Sequence, residues 1–125
     1  MKNSPNFYFD SMNQVIMDNW SKGRVVLVGD AGYSVSLSLG QGTTIAMVGA
    51  YVLAGELAAN KQDFQTGLNN YENLLREYVD TNQKLAYDTS NERQQTSADS
   101  SEEGNSSPDL PDFGLSVVPF TLKNY

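Results

Sequence analysis

Apolar positions along this chain fall into two short runs, one continuous run and two long periodic stretches, and then almost vanish. Phe7-Tyr8-Phe9 and Val15-Ile16-Met17 are the short runs, each ended by polar residues, and both read as short strands. Ser21-Lys22-Gly23 carries a turn signal. Arg24 to Val28 follows with four apolar residues in a row, three of them valine, the pattern of a strand covered on both faces as in a parallel sheet. Gly29 to Gly42 is rich in Gly and Ser and reads as a loop. From Thr43 to about Asn60 the spacing turns helical, with Ile45, Val48, Tyr51 and Val52 on one side and Ala46, Ala50, Ala54 and Ala58 around the rest. A helix so apolar all round is normally buried. Asp63 is placed as the N-cap of a second helix. Phe64, Leu68, Tyr71, Leu75, Tyr78, Val79 and Leu85 then form one stripe that ends near Tyr87.

From Asp88 to Pro108 the chain is dominated by Ser, Asp, Glu, Asn and Gln. Such a segment buries too little surface to offset its ordering entropy, so residues 88–125 are expected to form a disordered acidic tail. Apolar character returns at Phe113 to Phe120, as a docking segment or as an unrelated end. The chemistry-bearing part is thus expected within residues 1–87: α/β, with one main strand and two long helices over about 43–60 and 63–87.

Composition narrows the chemistry. The 125 residues carry a net charge of −7, so there is no basic face for a nucleic-acid partner. There is no cysteine and no histidine, which removes disulfides, thiolate chemistry, Cys/His metal sites and His-based triads. No metal site is expected. Reactive groups must be carboxylates, hydroxyls, amides, backbone dipoles or a bound cofactor. Met1-Lys2-Asn3-Ser4-Pro5 has no apolar leader character, which predicts a cytoplasmic protein. The stretch Ile45 to Ala59, interrupted by Gly49, Gly55 and Glu56, is read as too short for a membrane span.

Two segments carry candidate chemistry. Gly29-Asp30 places a carboxylate just past the end of the main strand, where open α/β sheets bind ligands. An ionised Asp is acceptor-only and suits a ligand offering hydroxyls, such as a ribose or ribityl chain. The alternative is that Asp30 caps its own turn. Gly40-Gln41-Gly42-Thr43-Thr44 opens the first long helix. Glycines there let a ligand approach the backbone, and the helix start offers unpaired N–H groups and a positive dipole end. The alternative is a plain turn with Thr43 or Thr44 as N-cap. Gly40-Gln41-Gly42 begins a GxGxxG, but Ile45 stands at its sixth position and the strand lies a loop away. No GK[ST] run exists for a phosphate loop. That also weighs against a nucleotide hydrolase in which Asp30 would hold magnesium.

Taken together the segments are more specific. Trp20, Gly23-Arg24, Gly29-Asp30-Ala31, Gly40-Gln41-Gly42, the run Ala50-Tyr51-Val52-Leu53-Ala54-Gly55-Glu56-Leu57, Tyr71-Glu72 and Arg76 resemble the second FAD-binding motif of single-component flavin-dependent monooxygenases, the group related to p-hydroxybenzoate hydroxylase. The resemblance covers the first two-thirds of the chain. It implies FAD as cofactor, with NAD(P)H as reductant, O2 as co-substrate and a small organic substrate. It puts a ribityl hydrogen bond on Asp30, and the pyrimidine edge of the flavin on the N–H groups of Gly42, Thr43 and Thr44, with Gly29, Gly40 and Gln41 completing the two loops. Three departures stand out. Gly32 replaces a usual alanine, and Val35 and Leu37 occupy proline positions, which predicts a looser loop. The family's GxGxxG half is also absent. The open strand and the apolar helix therefore imply the C-terminal part of a larger enzyme, completed by an N-terminal chain that carries GxGxxG. The competing expectation is a non-catalytic remnant or interaction module that packs on another chain.

Overall fold

A computed structural model describes residues 11, 13–35, 39–99 and 118–125. The described part opens with a segment of no regular secondary structure and then a tight hairpin, β1 (Ser21–Lys22) and β2 (Val25–Val26). A four-residue turn of helix follows, α1 (Asp30–Tyr33), and then two long helices, α2 (Gly42–Ala59) and α3 (Phe64–Asp99). The two long helices pack on each other, and the hairpin and α1 rest against them.

The strand expected at Arg24–Val28 is corrected in extent and setting. Only Val25 and Val26 are paired, antiparallel to Lys22 and Ser21, and Val25 is 66% exposed. Among the described residues its apolar run enters only this two-stranded ladder, so Val25 meets solvent. Val15-Ile16-Met17 is not a strand; it has no regular secondary structure and is held by the Val15 N–H to Ser34 carbonyl bond of 3.1 Å and by Gln83 Nε2 on the Val15 carbonyl at 2.7 Å. The expected strand at Phe7–Phe9 lies outside the described residues.

The helix α2 begins and ends within one residue of expectation. Its buried side is Ile45, Gly49, Val52 and Glu56, a spacing of three and four that faces α3. The expectation that it is covered all round does not hold: Met47 is 69% exposed and Tyr51 lies on the outer side. By length and composition alone α2 could cross a bilayer. Packing on α3 accounts for the apolar face of Ile45, Gly49 and Val52, and the Glu56 carboxylate is buried on the same face.

Asp63 caps α3 as expected, accepting the Thr66 N–H at 3.2 Å and the Thr66 hydroxyl at 2.6 Å. These bonds hold its carboxyl below the usual aspartate range. The stripe Leu68, Tyr71, Leu75, Tyr78 and Val79 is buried. The boundary at Tyr87 is corrected, because α3 runs on to Asp99. Residues 88–99 contain no Gly or Pro, and once a helix is nucleated each added residue costs little. The Thr89 and Ser90 hydroxyls bond back to the carbonyls of Leu85 and Ala86. The far end of the expected disordered tail is also corrected: within residues 118–125, Val118 and Phe120 pack on the core. The stretch between lies outside the described residues.

Candidate functional site

The structure brings the two candidate segments together. Gly29 follows Val28 with φ 65° and ψ −140°, a conformation that side chains rarely adopt. A Cβ at Gly29 would also sit 3.0 Å from the Ala46 Cβ of α2. The turn can therefore lie directly against the first turns of α2. This contact fixes Asp30, the first residue of α1, beside the start of α2. A Cβ placed on Gly42 would lie 3.7 Å from Asp30 Oδ1. The loop expected over Gly29 to Gly42 is corrected at this point, since its first residues wind into α1.

The helix start itself is open. Gln41 is the N-cap residue and makes no side-chain capping bond, so neither Thr43 nor Thr44 is the cap. The first intrahelical bond, Ile45 N–H to the Gln41 carbonyl, measures 3.0 Å. The N–H groups of Gly42, Thr43 and Thr44 precede it and have no intrahelical acceptor. Thr43 and Thr44 are exposed, Gly42 half-buried and Gln41 buried. Gly40 is exposed and takes φ 64°. Asp30 is exposed. A carboxylate and an uncapped, positively polarised helix end thus lie side by side at the surface.

Residues that sequence reading placed only in a pattern turn out to hold this arrangement. The Tyr71 hydroxyl donates to the Leu27 carbonyl at 3.0 Å, and the Tyr33 hydroxyl lies 3.0 Å from it. Since the Tyr71 proton is committed to Leu27, Tyr33 is the donor between the two rings. Burial, and then the bond from Tyr33, push the Tyr71 hydroxyl far above the ordinary tyrosine range. Tyr33 lies against Gly49 so closely that a Cβ there would collide with its hydroxyl. A chain of contacts therefore runs from α3 through Tyr71 to Leu27 before the Gly29 turn, and through Tyr33 to α1 after it.

Two further clamps act on the flanks. Arg76 donates to the carbonyls of Met17 and Asp18 at 2.9 and 3.0 Å, pairs with Glu72 and stacks 3.9 Å over Trp20. Glu72 in turn accepts the Trp20 N–H at 3.1 Å. Gln83 Nε2 donates to the Ser34 carbonyl at 3.1 Å, and Gln14 Nε2 reaches the Val35 carbonyl at 3.2 Å. Val35 is buried in the core. Among the described residues of the loop expected to loosen without proline, Ser34 and Val35 are tethered, by the burial of Val35 and by two glutamines. Leu37 lies outside the described residues. The Gly32 departure has a local cause, because a Cβ there would meet the Leu27 Cβ at 3.0 Å. These roles were signalled in the sequence by Trp20, Tyr71-Glu72 and Arg76; nothing in it pointed to Gln14 or Gln83.

Residues 8–86 match the sequence profile of the FAD binding domain family. The chain belongs to that family. Among similar proteins are an uncharacterized protein of Mycobacterium tuberculosis, 53% identical over 70% of this chain and 24% of its own length, and an FAD-dependent monooxygenase of Sarocladium schorii, 51% identical over 68% of this chain and 20% of its own. A flavin-dependent monooxygenase of Legionella longbeachae is also 51% identical, over 68% of this chain and 22% of its own length. In three dimensions the chain resembles the tetracycline destructases Tet(51) and Tet(55), at 49% and 48% identity and TM-scores of 0.62 and 0.63. These likenesses cover 69% and 68% of this chain but 23% and 22% of theirs. The chain therefore spans less than a quarter of the length of these relatives, and the FAD-binding domain is represented by the piece that holds the Gly29-Asp30 turn and the α2 start.

Proposed function

We propose that this chain supplies one half of an FAD site in a flavin-dependent monooxygenase of the p-hydroxybenzoate hydroxylase kind. The observation that carries the reading is the meeting of Asp30 with the uncapped start of α2 at Gly42. A polyol chain fits beside Asp30, because its hydroxyls donate and the carboxylate accepts. An electron-rich ring edge fits at the N–H groups of Gly42, Thr43 and Thr44, where the helix dipole stabilises negative charge. Gly29, Gly40 and Gln41 shape the backbone on either side. Bound FAD would bring the redox and oxygen chemistry, with NAD(P)H as reductant and O2 as oxidant, acting on a small organic substrate, aromatic ones included. This chain's own work is to bind the flavin, to orient it and to place backbone donors at its edge.

The GxGxxG half of the site would come from a complementary N-terminal chain, and the fragment alone would not turn over substrate. The apolar outer side of α2 and the exposed Val25 support a pairing of this sort, as surface that a larger domain would cover. The expected test is co-purification. The chain, produced with a GxGxxG-bearing partner, should retain yellow flavin that neither polypeptide holds alone. A partner that keeps the same FAD without this chain would overturn the reading. The second reading, a non-catalytic interaction module, draws on the same exposed faces. It predicts that the partner is bound but that FAD occupancy of the pair equals that of the partner alone.

A further inference from the structure

The family match ends at residue 86, yet the last eight residues return to the molecule and engage a buried acid inside the matched part. Glu56 is 1% exposed, and a buried carboxylate needs partners to remain charged. Asn70 of α3 supplies one bond at 3.0 Å. The other two strong donors come from the C-terminal segment: Lys123 Nζ at 2.7 Å and the Tyr125 hydroxyl at 3.0 Å, both on Oε1. The Tyr125 ring lies over Gly55, where a Cβ would strike it, and edge-on to Tyr51 at 5.7 Å. The Tyr51 hydroxyl donates to the Lys123 carbonyl at 3.1 Å. Upstream in the segment, Phe120 packs on Tyr78 with ring centroids 4.9 Å apart. Backbone, charge and rings are thus read at Phe120, Lys123 and Tyr125, in the manner of a peptide in a groove.

We propose that the α2–α3 groove around Glu56 is a peptide-docking site, and that its occupant is the chain's own residues 118–125, held as a releasable latch over the Tyr51–Gly55 stripe of α2. The net charge of −7 makes Lys123 a scarce cation, and it pairs with the most buried acid among the described residues. Lys123 and Tyr125, which carry the bonds to Glu56, are exposed, so these anchors can leave without unpacking the helices while Val118 and Phe120 stay on the core. This inference stands apart from the flavin reading, since it concerns the end of α2 remote in sequence from Gly42.

The test uses the full chain and a synthetic octapeptide of residues 118–125, fluorescently labelled at its N-terminus so that the Tyr125 end is free. The variant Lys123→Ala/Tyr125→Ala removes the latch's anchors at the exposed end and leaves the helices intact, with helical content checked by circular dichroism. Fluorescence anisotropy should show the octapeptide binding the variant at least about 10-fold more tightly than the wild-type chain, whose groove is already filled. Adding Glu56→Gln to that variant should abolish the gain. Equal affinity for variant and wild type, binding to neither, or a gain that survives Glu56→Gln would each overturn the proposal. Carboxypeptidase digestion gives an independent check: Tyr125 should be released from the wild-type chain at least about 10-fold more slowly than from the free octapeptide, and equal rates would overturn the latch.

Discussion

Single residues set the geometry that matters most here. Gly49 is buried under the Tyr33 ring, and any side chain at 49 forces that ring out of its bond with Tyr71. Gly49→Ala is expected to lower stability by about 1–3 kcal/mol, as overpacking in a closed core does, despite the better helix propensity of alanine. Urea unfolding followed by circular dichroism would measure it, and a stabilised variant would contradict the packing described. Tyr71→Phe leaves the Leu27 carbonyl and the Tyr33 hydroxyl without their shared partner. It is expected to cost about 1–3 kcal/mol and to loosen the Gly29 turn, seen as faster amide exchange at residues 27–33. Glu56 gives a signed pH dependence. Burial alone would raise its pKa, but the bonds from Lys123, Asn70 and Tyr125 and the Lys123 charge outweigh this and hold it below the ordinary glutamate range. Its folded pKa is depressed, so the stabilisation is present above the unfolded value and is lost as pH falls through the folded one. Tyr125 moves the other way. Burial, and then the Glu56 bond, push its hydroxyl up to about 12, so its contribution holds up to the ordinary tyrosine range and fades as pH rises through that value. The latch is expected to be closed across the neutral range and open at both extremes, which carboxypeptidase release measured against pH would report.

At the level of elements, the helices were legible and the strand was not. The apolar spacing from Leu68 to Val79 found the buried side of α3, and Asp63 announced its start, because both signals are local. Replacing Asp63 with alanine should lower the urea midpoint, since the Thr66 N–H and hydroxyl lose their acceptor. The valine run at 25–28 has the pattern of a covered strand, but among the described residues it forms a two-residue ladder with Val25 exposed. The extent of α3 was missed for another reason. Composition says that 88–99 buries little, but a helix already nucleated by a buried stripe can continue through polar residues. In the candidate site, Asp30 and the Gly42 helix start were readable as separate motifs. Their contact was not, because it depends on the φ of Gly29 and on the bare Ala46 surface it packs against. The Gln14 and Gln83 tethers were invisible, being polar side chains whose partners are backbone carbonyls distant in sequence.

Taken as a whole, the chain matches the FAD binding domain family over residues 8–86, spans less than a quarter of its relatives' length, and leaves apolar side chains such as Val25, Met47 and Tyr51 exposed. Its helices are braced by Trp20, Tyr33 and Tyr71, and this bracing ends at the turn that carries Asp30. That convergence supports the proposal that this part of the chain binds flavin. The most direct measurement is the FAD dissociation constant of the chain paired with a GxGxxG-bearing partner, by quenching of flavin fluorescence, for wild type and Asp30→Ala. A lost hydrogen bond to a charged group is worth about 1.5–3 kcal/mol, so the variant should bind FAD roughly 10- to 100-fold more weakly with its helical content unchanged. An unchanged dissociation constant would remove Asp30 from the site and contradict the account.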